Sequence, residues 1–61
     1  MKYKVGDIIK ESPIDCGCRF EILEIGIENY AVKHVLEEES FLWSIKNCDE
    51  RTELSFFNKE L

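Results

Sequence analysis

The 61 residues carry 13 acidic and 8 basic side chains, a net charge of −5, with 44% hydrophobic residues; this is one domain at most, and too apolar for a disordered chain. The acidic balance argues against nucleic acid, whose binding rests on Lys and Arg displacing counterions, and favours a basic or neutral partner, besides serving solubility. No apolar run reaches the roughly 18 residues of a membrane helix, and Met1 to Asp7 has no apolar stretch long enough for a signal peptide, so no membrane association and a cytoplasmic location are expected.

Tyr3 to Lys10 is the first apolar segment, interrupted by Gly6-Asp7, and a loop from Glu11 to Cys18 follows with the single proline. Phe20 to Ile27 is dense in β-branched residues and reads as a strand. With period two, Leu23, Ile25 and Ile27 share one face while Phe20 and Ile22 share the other, and a bulge or sharp twist near Ile22 reconciles them. A helical reading through Phe20, Leu23, Ile27 and Ala31 is opposed by Gly26, Asn29 and the β-branched content.

Glu28-Asn29 is placed as a tight hairpin turn. Tyr30 to Leu36 then alternates, with Tyr30, Val32, His34 and Leu36 on one face. Glu37-Glu38-Glu39-Ser40 is a charged turn, and Phe41 to Lys46 is the next strand, with Phe41, Trp43 and Ile45 together. Asn47 to Glu50 has the form of a helix start. Beyond it the pattern is ambiguous: Leu54, Phe57 and Leu61 recur at helical spacing, while Thr52, Leu54 and Phe56 suit a short strand. The expectation is one helical turn, a short strand, and a tail that docks or frays.

Lys4-Val5-Gly6-Asp7-Ile8-Ile9 resembles the opening of many small SH3-like barrels. Phe20 to Ile27, Tyr30 to Leu36 and Phe41 to Lys46 resemble the central meander of that barrel, Asn47 to Glu50 its helical turn, and Arg51 to Leu54 its closing strand. The resemblance covers residues 3 to 54 and implies a mainly β fold, a single SH3-like barrel of about five antiparallel strands. In style the chain is also similar to short acidic SH3-like proteins encoded by bacteriophages and other mobile elements, some of which bind and block host proteins. Such barrels bind peptides, nucleic acids and protein surfaces alike, so the fold does not fix the function.

Cys16-Gly17-Cys18, His34 and Cys48 supply four soft ligands, the number that a tetrahedral zinc site needs, but one intervening residue is too few for the usual knuckle. It is also too few for the usual redox pair, and three cysteines fit a disulfide framework poorly. His34 reads as the edge of an apolar face with one nitrogen satisfied. A chain this short offers little concave volume for catalysis. No catalytic residue, metal site or cofactor is assigned.

The expected protein-binding residues are Glu37, Glu38 and Glu39, an acidic knob for a basic surface, together with Tyr30, Phe56 and Phe57. The chain has one Trp, two Tyr and four Phe, more than so small a core hides, and exposed aromatics anchor interfaces. Trp43 is the first candidate for the core. Phe56-Phe57 packs either on the barrel or on another copy, and the small core makes a homodimer plausible. The leading expectation is a non-enzymatic module that binds a protein, in the phage-like case a host protein that it inhibits. One rival is a nucleic-acid or small-ligand barrel, with Tyr30 and Trp43 stacking on bases and Lys2, Lys4, Lys10, Arg19 and Lys33 gathered into one patch. The other is a metal- or thiol-dependent switch using Cys16 and Cys18.

Overall fold

Lys4-Val5-Gly6-Asp7 folds as a turn. The Asp7 N–H donates to the Lys4 carbonyl at 3.0 Å, and the Asp7 carboxylate accepts from the Lys4 N–H at 2.9 Å. Gly6 has φ 91°, the left-handed value that the third position of a type II turn requires. The turn is tied to the next strand of the sheet, because Gly6 N–H donates to the Ile22 carbonyl and Ile22 N–H to the Asp7 carbonyl, each at 2.9 Å.

The structure, a computed structural model, describes residues 2–12 and 17–60. These form β1 (Ile8–Glu11), β2 (Arg19–Ile25), β3 (Asn29–His34), β4 (Ser40–Ser44), α1 (Ile45–Glu53) and β5 (Phe57–Glu60). All strand pairs are antiparallel, in one five-stranded sheet of order β4-β3-β2-β1-β5. The fold is therefore mainly β, five antiparallel strands with one short helix, as the sequence led us to expect. None of the described helices is long and apolar enough to cross a membrane.

The irregularity expected near Ile22 is present as a register shift between Ile22 and Glu24. It turns Phe20, Ile22 and Ile25 all toward the core and leaves Leu23 on the outside. The hairpin turn lies one residue earlier than expected. Gly26 N–H donates to the Asn29 carbonyl at 2.8 Å, so Ile27-Glu28 form the turn and Asn29 opens β3.

The C-terminal third departs most from the sequence reading. β4 stops at Ser44, whose hydroxyl accepts from the Asn47 N–H at 3.3 Å and caps α1. The cap is thus Ser44 rather than Asn47, and the helix runs nine residues where one turn was expected. Arg51 to Leu54, expected as the closing strand, is the last turn of this helix and its cap. Ser55 N–H donates to the Thr52 carbonyl and Phe56 N–H to the Arg51 carbonyl, a Schellman pattern with Ser55 in the left-handed conformation at φ 67°. The chain then reverses, and β5 pairs with β1 from Glu11↔Phe57 to Ile8↔Glu60.

Tyr3, Ile9, Ile22, Tyr30, Val32 and Cys48 form the buried core, flanked by Phe20, Ile25, Trp43, Ile45 and Phe57. β4 and β5 stand at opposite ends of the sheet order, yet Trp43 and Phe57 stack with ring centroids 5.3 Å apart and planes 11° apart. The sheet curls until its edges meet through these side chains. Among the described residues no backbone ladder joins β4 to β5.

Candidate functional site

The β3–β4 connection carries the acidic run on a fixed frame. His34 N–H donates to the Glu39 carbonyl at 2.7 Å, and Glu38 N–H to the His34 carbonyl at 2.8 Å. The His34 ring adds a third bond, its Nδ1 accepting from Glu37 N–H at 3.2 Å, and the ring is held edge-on by Phe20 at 5.1 Å. With Nδ1 accepting, the neutral ring carries its proton on Nε2. His34 thus shapes the turn, with one nitrogen satisfied as expected. Val35 N–H donates to the Arg19 carbonyl at 2.9 Å and fastens the start of the turn to β2.

This frame leaves Glu37, Glu38 and Glu39 exposed. It also leaves exposed apolar neighbours, with Leu36 77%, Val35 40% and Phe41 40% accessible. Sequence reasoning found the three carboxylates and missed the apolar residues around them. Leu36 was assigned to the face of Tyr30 and Val32, but β3 ends at His34 and the chain turns outward. The end of the strand was the missing signal.

The aromatic residues divide differently from expectation. Tyr30, expected at the contact surface, is fully buried. Its hydroxyl donates to Asp49 at 2.9 Å, and its ring meets Tyr3 edge-on at 5.9 Å. Burial, and then the hydrogen bond to Asp49, push its pKa up to about 12. Tyr30 and Tyr3, the latter bonded to the Thr52 hydroxyl at 2.6 Å, fasten α1 to the sheet rather than meet a partner. Phe57 packs on the protein itself, between Trp43 and the Arg51 guanidinium, which lies 5.8 Å from its ring centroid. Phe56 remains 51% exposed. Trp43, tilted over Phe20 at 4.7 Å, packs against the core as expected.

Between β4, α1 and β5 lies a groove of about 390 Å³ lined by Leu42, Trp43, Asn47, Cys48, Arg51 and Phe57 among others. Its one thiol, Cys48, is buried, and that burial, with the Asp49 charge adding to it, raises its pKa to about 11. A thiol held protonated is a poor nucleophile and a poor metal ligand. Among the described residues no group of three His, Cys, Asp or Glu is placed to hold a metal. Cys16, half of the sequence's thiol pair, lies outside the described residues.

Lys10 stands opposite Arg19 in the register of β1 and β2, but most of the named basic residues are matched with acids. Lys2 pairs with Glu53 at 3.4 Å, Lys33 with Glu21 at 4.0 Å, and Arg19 with Glu60. Three of the five residues expected to form a patch in the nucleic-acid reading are thus matched with carboxylates on three different elements. Lys59 likewise pairs with Asp7 at 3.6 Å. No protein-family model, curated protein or solved structure matches this chain.

Proposed function

We propose that this protein is a non-enzymatic binding module that acts by contact with another protein, through the acidic and apolar end of its β3–β4 connection. The observation that carries the reading is the setting of Glu37, Glu38 and Glu39 among the exposed side chains of Val35, Leu36 and Phe41. Apolar area supplies affinity, and a cluster of one charge sign supplies steering and rejects wrong partners. A partner that fits carries an apolar patch rimmed by Lys and Arg. The hydrogen bonds around His34 hold the end in one shape, so little conformational entropy is lost on binding.

The turn at Lys4 to Asp7, the β2–β3–β4 meander and the helix leading into β5 support the resemblance to small SH3-like barrels. In style the chain is also similar to short acidic SH3-like proteins of bacteriophages and mobile elements, some of which block host proteins, and the partner we propose is accordingly a host protein of the cytoplasm. The pairing of Lys2, Arg19 and Lys33 with separate acids weighs against a nucleic-acid barrel.

The test is affinity capture from lysate with the wild-type chain, a Leu36→Ser/Glu37→Lys/Glu39→Lys variant, and a Glu53→Lys control on α1. A protein retained by the wild type and the control but lost from the triple variant supports the reading. Retention unchanged by the triple variant, or recovery of nucleic acid alone, overturns it.

A further inference from the structure

β4 ends the sheet as a strand of five residues, and its open side borders the groove toward α1 and β5. Ser40-Phe41-Leu42-Trp43-Ser44 contains no charge and no proline, and its pairing with β3 has no bulge. The hydrogen-bond pattern fixes which of its backbone groups are open. His34 N–H bonds the Glu39 carbonyl on one side, and Ile45 N–H the Glu28 carbonyl on the other. In the register between them, from Lys33↔Ser40 to Asn29↔Ser44, the residues bonded to β3 are therefore Phe41 and Trp43. Ser40, Leu42 and Ser44 aim their backbone groups outward, apart from the Ser44 carbonyl, which as a cap serves α1.

We propose that this edge pairs with β4 of a second copy, antiparallel about a two-fold axis at Leu42. In that register Leu42 faces Leu42, Phe41 faces Trp43 of the second copy, and Ser40 faces Ser44, so the strand is complementary to itself. About four backbone hydrogen bonds cross the axis, two between the leucines and two from Ser44 N–H groups to Ser40 carbonyls. Leu42, 72% exposed, meets its mate on the outer face, and Phe41 lies beside Trp43 on the inner face.

Charge at the two ends fits the same arrangement. Because Ser40 of one copy faces Ser44 of the other, the turn that precedes Ser40, with Glu38 and Glu39, comes beside the helix that follows Ser44. That is the start of α1, which has no acidic residue in its first turn and presents the positive end of the helix dipole. The antiparallel pairing therefore sets acidic turn against helix start twice, whereas a parallel pairing would set like against like. The contact shares Phe41, Glu38 and Glu39 with the surface proposed above and leaves Val35, Leu36 and Glu37 outside it, so the dimer and that partner compete for this end of the sheet, while self-association is read without any partner. Five residues of edge make a small interface, below roughly 1,200 Å² in total, of the size found in transient contacts, so the dimer exchanges with monomer.

Analytical ultracentrifugation of the full chain, from low micromolar to millimolar concentration, tests this with Leu42→Lys, Leu42→Glu and, as control, Leu54→Lys at an exposed leucine on the far end of α1. A reversible monomer–dimer equilibrium is expected for the wild type and the control. Leu42→Lys alone and Leu42→Glu alone are expected to stay monomeric, since each sets like charges face to face on the axis, while their equal mixture regains the dimer. A wild type that remains monomeric at millimolar concentration overturns the proposal. So does a dimer indifferent to Leu42, a mixture that fails to associate, or growth into rings or chains by pairing of β4 with β5.

Discussion

Replacing Ser55 by glycine is expected to make the protein more stable. Ser55 follows the C-cap of α1 at φ 67°, a conformation that costs an L-residue roughly 1–2 kcal/mol because Cβ crowds the following carbonyl. Glycine escapes that strain but loses about 0.5–1 kcal/mol in backbone entropy on folding. The side chain of Ser55 is exposed, and the bond from its N–H to the Thr52 carbonyl at 3.1 Å survives the change. The net gain is therefore about 0.5–1 kcal/mol. In a domain of this size that corresponds to a rise in Tm of about 2–8 °C. Ser55→Ala keeps the strain and removes only an exposed hydroxyl, so its Tm should lie close to that of the wild type. Calorimetry and urea titration of the three proteins read the effect. A glycine variant no more stable than the alanine variant would refute the reasoning, because the left-handed cap would then carry no strain.

Tyr30→Phe removes the hydroxyl that Asp49 accepts, while Asp49 keeps the weaker bond from Lys2 N–H at 3.3 Å; a loss of about 1 kcal/mol in urea titration is expected. Alkaline pH should destabilise the fold in two overlapping steps. Cys48 is raised from 9.0 to about 11 and Tyr30 from 10.0 to about 12, so the native state holds both protons more tightly than the unfolded chain. Stability is then complete below pH 9 and falls as pH rises through these values, and Cys48→Ala should delay the onset toward pH 10. A melting temperature that stays flat from pH 9 to 11 contradicts this. Cys48 should also resist alkylation at neutral pH until the protein unfolds, as peptide mass mapping after a maleimide pulse would read; rapid labelling of the native protein would show that the core opens under α1.

The parts of the fold that were legible in the sequence are those where side-chain alternation alone decides. Phe20-Ile22 and Leu23-Ile25 disagree in parity, and only an irregularity lets both pack, which is what the register shift between Ile22 and Glu24 achieves. The helix was less legible because its start doubles as a strand end and its stop lacks a glycine. Ser44 serves as the last residue of β4 and the cap of α1 at once, and the position after the helix holds serine where glycine is usual. Leu54 and Phe56 then mimic an alternating strand, though both are exposed around the cap. Phe57-Asn58-Lys59-Glu60 has no alternation to betray β5, which exists because β1 offers it an edge.

At the candidate site the carboxylates were legible and their surroundings were not. Tyr30 alternates with Val32 and shares its face, but the partner that makes burial of its hydroxyl tolerable is Asp49, on a helical turn that local pattern placed along the chain and not in space. Leu36 continues the same alternation and yet faces solvent, because hydrogen bonds from Glu37 and Glu38 to His34 end the strand before it. The first error comes from a tertiary partner and the second from local turn bonds, each overriding a local period.

The central claim, that the protein works by contact through the end of its β3–β4 connection, is tested most directly by hydrogen exchange on the complex with a captured partner. The account predicts new amide protection centred on Val35 to Phe41, with the Ile27-Glu28 turn and the exposed face of α1 unchanged. Protection confined to those last two regions, with Val35 to Phe41 exchanging as in the free protein, would contradict it.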